Sequence, residues 1–293
     1  MKQNLAGKTV FLTGGSRGIG QAMAKRFAQA GANVAICSKS SEPHPTLPGT
    51  IHETAEIVEN AGGKALPIVL DVRDEDNINA AVKQTAEHFG GIDICVNNAG
   101  AFWIQPSMET TTKRHDLLFN INERAAFLVT RACHPYLVKS DNAHVLSLSP
   151  PLDLKSVWFQ HTSPYSVSKY AMSLYALGWS KEFAEDGIAV NTLWPRVGVE
   201  TPAAVVHGGE DLRKEFRKPT IMADAAYAIV SKPSREFTGN FCIDDSLLFD
   251  EGERDFEQYS VVPGSELVPD YFVPTDVAAP PGVKLSKFRL YDI

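Results

Sequence analysis

Eight tyrosines occur along the 293 residues, and only Tyr165 is followed by a lysine four positions on, in Tyr165-Ser166-Val167-Ser168-Lys169. On a helix that spacing puts both side chains on one face. A phenol ionises near pH ~10, too high to trade protons at neutrality, but an adjacent ammonium favours the phenolate and lowers the value. The two residues form a candidate acid/base pair. The plain alternative is an ordinary helix surface carrying an aromatic residue and a lysine.

A second constellation stands near the start of the chain, in Thr13-Gly14-Gly15-Ser16-Arg17-Gly18-Ile19-Gly20, between a β-branched apolar run and a helical pattern. Glycines in such a place allow a tight turn and a close approach to a pyrophosphate, whose charge the first N–H groups of the helix can meet. A purely structural strand-to-helix corner is the alternative. About 20 residues on, where dinucleotide folds place an Asp or Glu against the ribose, the chain reads Cys37-Ser38-Lys39. With no carboxylate there, Lys39 and Arg17 would complement a 2'-phosphate, which predicts NADP(H) over NAD. Otherwise both are solvated surface residues.

These groups need a sheet to hold them. Apolar runs at Thr9 to Leu12, Val34 to Cys37, Ala65 to Leu70, Ile92 to Val96, Val145 to Leu148, Ile188 to Leu193 and Phe241 to Ile243 alternate with helical stretches. The first helix spans about Gly18 to Ala30, and another is capped by Asp74 and stopped at Gly90-Gly91. Strands apolar on both faces belong to a parallel sheet covered by helices on each side. The predicted fold is α/β, a Rossmann-type doubly wound, mostly parallel seven-stranded sheet. It fills residues 1–249, with the pattern itself running from about 5 to 245. Pro43, Pro45 and Pro48 make a loop of Glu42 to Gly49. Residues 250–293, with Pro263, Pro269, Pro274, Pro280 and Pro281, read as an extended tail. Its aromatics Tyr259, Tyr271, Phe272, Phe288 and Tyr291 predict docking on this subunit or a neighbour.

Composition narrows the partners. The formal charge is -7 and no basic run appears, which argues against nucleic acid and anionic membrane surfaces. No stretch of eighteen apolar residues predicts a membrane span. Cys37, Cys95, Cys133 and Cys242 lie far apart, without metal-ligand spacing, so no metal site is expected and buried free thiols are. The opening residues run into a strand pattern and the closing Tyr291-Asp292-Ile293 matches no peroxisomal address. Cytoplasmic residence is the expectation.

Taken together, TGxxxGxG at Thr13 to Gly20, Asn97-Asn98-Ala99-Gly100, and YxxxK at Tyr165 to Lys169 make the chain resemble the short-chain dehydrogenase/reductase family over about residues 5 to 245. The wider wording is most similar to the hydroxysteroid dehydrogenase-like subgroup. It comprises Lys39 with Pro43-His44-Pro45, Leu70-Asp71-Val72-Arg73, Ser149-Pro150-Pro151 and Trp194-Pro195. The resemblance implies hydride transfer between a carbonyl and an alcohol. Tyr165 would donate the proton in reduction and accept it in oxidation, and Lys169 would lower the phenol's pKa and hold the nicotinamide ribose. Asn122 would support a water between the lysine and solvent. The resemblance further implies cofactor contacts from Gly14, Ser16, Arg17, Gly18, Ile19 and Gly20, with Lys39 added. Asp71 and Val72 would border adenine, Asn98, Ala99 and Gly100 would line the ribose side, and Thr201 would meet the carboxamide.

Two departures accompany the match. The family usually ends its fifth strand in two serines and uses the second to bond the substrate carbonyl; here Leu148-Ser149-Pro150-Pro151 puts Pro150 at that position. Proline has no hydroxyl to donate, and Ser149 could serve only if the strand end bends, since a one-residue offset reverses the face. Pro195-Arg196 replaces the usual Pro-Gly, so Arg196 either touches cofactor or an anionic substrate or faces water.

Phe102, Trp103, Trp158 and Phe159 either line an apolar substrate pocket or pack in the core. Thr201 to Pro219, with His207-Gly208-Gly209, has the character of a lid. Small residues on the Tyr165 helix, Ala171, Ser173, Ala176, Gly178 and Ser180, permit close helix approach, and family members usually associate there. A homo-oligomer, dimer or tetramer, is expected. The sequence thus predicts an NADP(H)-dependent oxidoreductase acting on a small-molecule carbonyl or alcohol. The rival is an NADPH-binding regulatory or interaction protein with little or no turnover, for which Pro150 speaks.

Overall fold

In the computed structural model, residues 5–202, 204 and 212–287 are described. The first strand, β1 (Thr9–Thr13), is buried along its whole length. It pairs in parallel with β2 (Asn33–Ser38) on one side and β4 (Ile94–Asn97) on the other. With β3 (Lys64–Val69), β5 (His144–Ser147), β6 (Ala189–Trp194) and β7 (Phe241–Ile243), the order across the sheet is β3-β2-β1-β4-β5-β6-β7, parallel throughout. The order reverses between β1 and β4. Ligands of doubly wound sheets bind at such a reversal, outside the carboxyl ends of the strands.

Two apolar layers cover the sheet. On one face lie α1 (Gly18–Gln29), α2 (Ile51–Asn60) and α7 (Thr220–Val230), contributing Met23, Phe27, Val58 and Ile221. On the other lie α3 (Glu75–Phe89), α5 (Ala125–Leu137) and α6 (Ser163–Glu182), contributing Ile78, Val129 and Trp179. Asp74 caps α3 by accepting from the Asn77 N–H, and Gly90 ends it at φ 89°, where a side chain would be strained. The four cysteines are buried and unpaired.

One strand departs from expectation. β3, whose run Ala65 to Leu70 is expected to be apolar on both faces, leaves Val69 exposed and Ala65, Leu66 and Pro67 only half-buried. It is one of the sheet's two edges, where Pro67 is tolerated because an edge residue needs no ladder partner for its missing N–H.

Beyond α8 (Asp244–Asp250) the chain becomes a strap with one short 3-10 turn at Glu257–Tyr259. It docks on the body: Tyr259, Tyr271 and Phe272 are buried, and bridges join Val197 to Pro269 and Arg217 to Ser260. Phe288 and Tyr291 lie outside the described residues, as do His207, Gly208 and Gly209 of the expected lid.

The strap is fastened by buried charge. Arg196 bonds Asp245 at 2.7 Å, the Ser246 hydroxyl at 2.6 Å and the Val277 carbonyl at 2.8 Å, while Arg217 reaches the other Asp245 oxygen at 3.0 Å. Both expectations for Arg196 are therefore corrected. It neither faces water nor points to a cofactor, because a guanidinium with 1% exposure must find its acceptors inside.

Candidate active site

The glycine turn is built by mutual exclusion of side chains. A Cβ on Gly20 would lie 2.2 Å from the Gly14 carbonyl oxygen, and one on Gly14, at φ 68°, would lie 2.8 Å from the Asn98 amide nitrogen. That amide donates to the carbonyls of Thr13 and Gly14 at 2.9 and 3.0 Å. The Thr13 hydroxyl donates to Val96 and accepts from the N–H groups of Asn98 and Ala99. Asn98 and Thr13 thus lock the ends of β1 and β4 together at the reversal. The N-cap of α1, Arg17, gives the helix no side-chain acceptor. A 12-residue helix whose first N–H groups lack a capping side chain suits a phosphate.

At the adenosine end, Arg17 donates to the Ser40 hydroxyl at 2.8 Å and to the Gly49 carbonyl at 2.9 Å. Ser16 and Ser38 share a hydrogen bond at 3.1 Å. Lys39 is exposed and stands 3.9 Å from Asp71. Asp71 belongs mainly to Arg73, which bonds both its oxygens and, with a small share from Lys39, holds its carboxyl down at about 2. Val72 is buried in the core beside α3. Lys39 and Arg17 therefore flank the end of β2, where the missing carboxylate would sit.

A cavity of about 490 Å³ opens beside the reversal, lined by Ile19, Asn98, Tyr165, Lys169 and Thr201 among the expected residues. Thr201 also packs near Gly18, and with Arg17 and Gly18 it lines a broader cleft along α1. Phe102, Trp103, Ile104, Val199, Phe216 and Met222 make much of the remaining wall apolar. The open question about the aromatics divides cleanly. Phe102 and Trp103 line the cavity, whereas Trp158 and Phe159 do not and pack in the cluster around Phe272 and Tyr170.

Within the cavity the two expected partners behave differently from a simple ammonium and phenol. Lys169 donates to the Leu148 carbonyl at 2.5 Å and lies 5.3 Å from the Trp194 ring centre, and burial lowers its pKa to about 7. Burial, followed by the charges of Asp270 and Tyr271, pushes the Tyr165 phenol above its ordinary value. The expected lowering by Lys169 is not seen in the protein alone. The amine turns to the end of β5 and burial disfavours both charged forms.

Asn122 is fully buried beside α6, in a π-helical stretch, Phe119–Arg124, that joins α4 (Thr112–Leu118) to α5. Its amide accepts from Ala101 N–H at 2.8 Å and donates to the Ala101 carbonyl and to the Ser168 hydroxyl. It fastens the loop after β4, with Ala99 and Gly100, to α6. Ser149 is not brought to the cavity. It has no exposure, and its hydroxyl has no hydrogen-bond partner among the described residues. Leu148 lines the cavity in its place, as the alternation of a straight strand end requires.

Sequence reasoning missed Asp270, and for Tyr271 it expected docking but no place at the site; the strap inserts both into the cavity wall that Tyr165 also lines. Nothing around a lone carboxylate in a proline-rich stretch signals such a position. Among the described residues no cluster of metal-ligating groups occurs and no helix is long and apolar enough to cross a membrane.

Known proteins share this construction. A short chain dehydrogenase family profile matches residues 8–207. Hydroxysteroid dehydrogenase-like protein 2 from Xenopus tropicalis is 52% identical over 269 residues, and the human protein of that name 50%; each match covers 92% of this chain and 64% of the relative. The chain thus spans under two-thirds of those relatives' length. A crystal structure of a short chain dehydrogenase from Mycobacterium thermoresistibile is 48% identical, superposes with a TM-score of 0.89, and is matched over 96% of this chain and 99% of that one. With the glycine turn, the parallel sheet and half of its sequence in common with these proteins, this chain belongs to the short-chain dehydrogenase family of oxidoreductases, in its hydroxysteroid dehydrogenase-like branch.

Proposed function

We propose that the chain interconverts a carbonyl and an alcohol with NADP(H), Tyr165 handling the proton. The observation that carries this reading is the convergence of Tyr165, Lys169, Asn98, Ile19 and Thr201 on one largely apolar cavity at the sheet's reversal point. The turn Gly14 to Gly20 would hold the pyrophosphate on the uncapped start of α1, and Ser16, Arg17 and Lys39 would hold the adenosine end. Asn98, Ala99 and Gly100 would line the ribose side and Thr201 would meet the carboxamide, with Asp71 and Val72 toward adenine. When bound, the nicotinamide gives or takes the hydride. The preference for the phosphorylated cofactor is supported by Arg17 and Lys39 at the end of β2 and by the absence of an acid there.

The protein's own part is proton handling and exclusion of water. Tyr165, raised by burial, stays protonated at neutrality and so is poised as a donor to a developing alkoxide. Lys169, near its midpoint at neutral pH, would offset the negative charge left on the phenol. Asn122 would hold the loop and α6 in register for that exchange, and the water it would support between the lysine and solvent would pass the proton onward. Phe102, Trp103 and Phe216, which line the cavity, would limit bulk water around the reacting carbonyl. NADPH oxidation across a panel of aldehydes, ketones and quinones tests the reading. Tyr165→Phe should lower turnover by at least about 100-fold with NADPH affinity unchanged; turnover that survives the change overturns it.

One observation favours a second reading, an NADPH-binding regulatory or interaction protein: Pro150 carries no hydroxyl and the Ser149 hydroxyl is buried off the cavity. Tight NADPH binding with no turnover of any panel compound would support it. For assembly, Val167, Leu174 and Leu177 leave an exposed apolar stripe on α6, which supports a homo-oligomer, dimer or tetramer. Cytoplasmic residence rests on the four unpaired cysteines, which suit any reducing compartment.

A further inference from the structure

We infer that Asp270 is a catalytic residue of this site, its protonated carboxyl donating to the oxygen of a carbonyl substrate the hydrogen bond that Pro150 cannot supply. The inference rests on the carbonyl-reducing reading above. The strap delivers Asp270 to the cavity that Tyr165 and Lys169 line, and its backbone N–H is pinned to the Arg196 carbonyl at 2.9 Å. One carboxyl oxygen accepts from the Tyr271 N–H at 2.7 Å. The other has no hydrogen-bond partner, and no cation pairs with the group, among the described residues.

The position is held at a cost. Phe272 alone among the described non-glycine residues has φ in the left-handed region, at 66°. Its ring is fully buried against Trp158, Tyr165, Tyr170, Trp194 and Tyr271. Backbone strain of this kind persists where surrounding packing imposes it, and it concentrates at functional sites. Here the strained residue is a wedge behind Tyr165 that sets the two residues before it into the cavity wall.

The electrostatics agree with a carboxylic acid at neutrality. Burial, reinforced by the charge of Asp244, raises Asp270 to about 7, although the Tyr271 N–H pulls the other way. The groups around it are Tyr165 and Lys169 from α6, Tyr271 on the strap, Asp244 at the start of α8, and Arg196, whose guanidinium is committed to Asp245. Asp270 in its ionised form opposes a phenolate on Tyr165. In its acid form it removes that opposition and offers a donor, as an acid beside a largely apolar cavity wall can.

The test compares kcat/KM for NADPH-dependent carbonyl reduction in wild type, Asp270→Ala and Asp270→Asn, from pH 6 to 8.5, with NADPH affinity as the check on folding. Asp270→Ala should lose about 100-fold at pH 6, the usual effect of removing one such donor. Asp270→Asn, which keeps an N–H donor at every pH, should match wild type within about tenfold at pH 6, and the ratio of this variant to wild type should climb as pH rises. Any titration of Lys169 is shared by both and cancels in that ratio. An unchanged Ala variant overturns the inference, as does a ratio flat with pH. If the Ala variant fails to bind NADPH, the Asn ratio decides. Absent turnover in wild type, or turnover surviving Tyr165→Phe, overturns the underlying reading and this inference together; loss in Tyr165→Phe without loss in Asp270→Ala sinks the inference alone.

Discussion

The ring nitrogen of Pro150 offers no proton, and its carbonyl already accepts from the Ser173 hydroxyl at 2.6 Å, so the end of β5 presents little but the Leu148 side chain to a ligand. On the function proposed above, cofactor choice is decided at the other end of the site. Lys39 is 60% exposed and only 3.9 Å from Asp71, a carboxylate largely satisfied by Arg73, so its ammonium is free to turn to a 2'-phosphate. Charge-assisted hydrogen bonds contribute about 1.5 to 3 kcal/mol. Lys39→Glu should therefore weaken NADPH at least about tenfold and leave NADH nearly unchanged in a fluorescence titration; equal losses for both would count against a phosphate at this corner. Lys39, Tyr165, Lys169 and the glycines were legible because the role proposed for each follows from local spacing or from a missing residue type. Asp270 was not, since its role comes from a contact across 105 positions of chain, between 165 and 270. Nor was the committed state of Arg196, whose buried partners lie about 50 positions on.

At the scale of elements, the strands and their parallel sense are legible from periodicity, because short runs apolar on both faces alternate with helical stretches and a helix between two strands favours a parallel crossover, whereas their order across the sheet comes from the structure. Periodicity does not say which strand is the edge, and β3 shows why: Pro67 was its only cue. It also cannot announce the π-helical stretch, where Asn122 is turned to Ala101 and Ser168 by the tertiary bonds themselves. The strap is the least legible element, because its order comes from Arg196, Arg217 and Phe272 and not from its own propensities. Removing the Phe272 ring should cost about 3 to 5 kcal/mol in cavity and lost burial. The backbone adds a further distinction. Alanine keeps the left-handed strain of roughly 1 to 2 kcal/mol while glycine relieves it. Phe272→Gly should accordingly be more stable than Phe272→Ala by about 1 kcal/mol in denaturant unfolding, and the reverse order would show that the strap has rebuilt its turn.

Across the whole molecule the sheet buries a titratable group at the start of an inner strand. His144 on β5 pairs with Ile94 and Ala189 on the neighbouring strands, has no exposure, and places Nε2 3.1 Å from the Lys232 carbonyl. Its Nδ1 has no partner among the described residues, so a proton there would be buried without an acceptor. Burial lowers its pKa to about 4, the Lys232 bond opposing only in part. The unfolded chain takes up that proton near pH ~6.5 and the folded chain resists until about 4, so stability is lost as pH falls through this window. The full difference amounts to about 3 kcal/mol. Asp244, raised to about 6 by burial and Asp245, and Asp270, raised to about 7, act in the opposite direction: the fold keeps their protons where the unfolded chain releases them, which lowers stability as pH rises. The wild-type profile alone is therefore a sum of opposed contributions. Comparing it with His144→Gln, whose amide retains an N–H for the Lys232 carbonyl, isolates the histidine. Between pH 7 and 4.5 the wild type should lose about 2 kcal/mol more than the variant in denaturant unfolding. Parallel profiles would mean that β5 opens, or admits water to Nδ1, before the proton arrives.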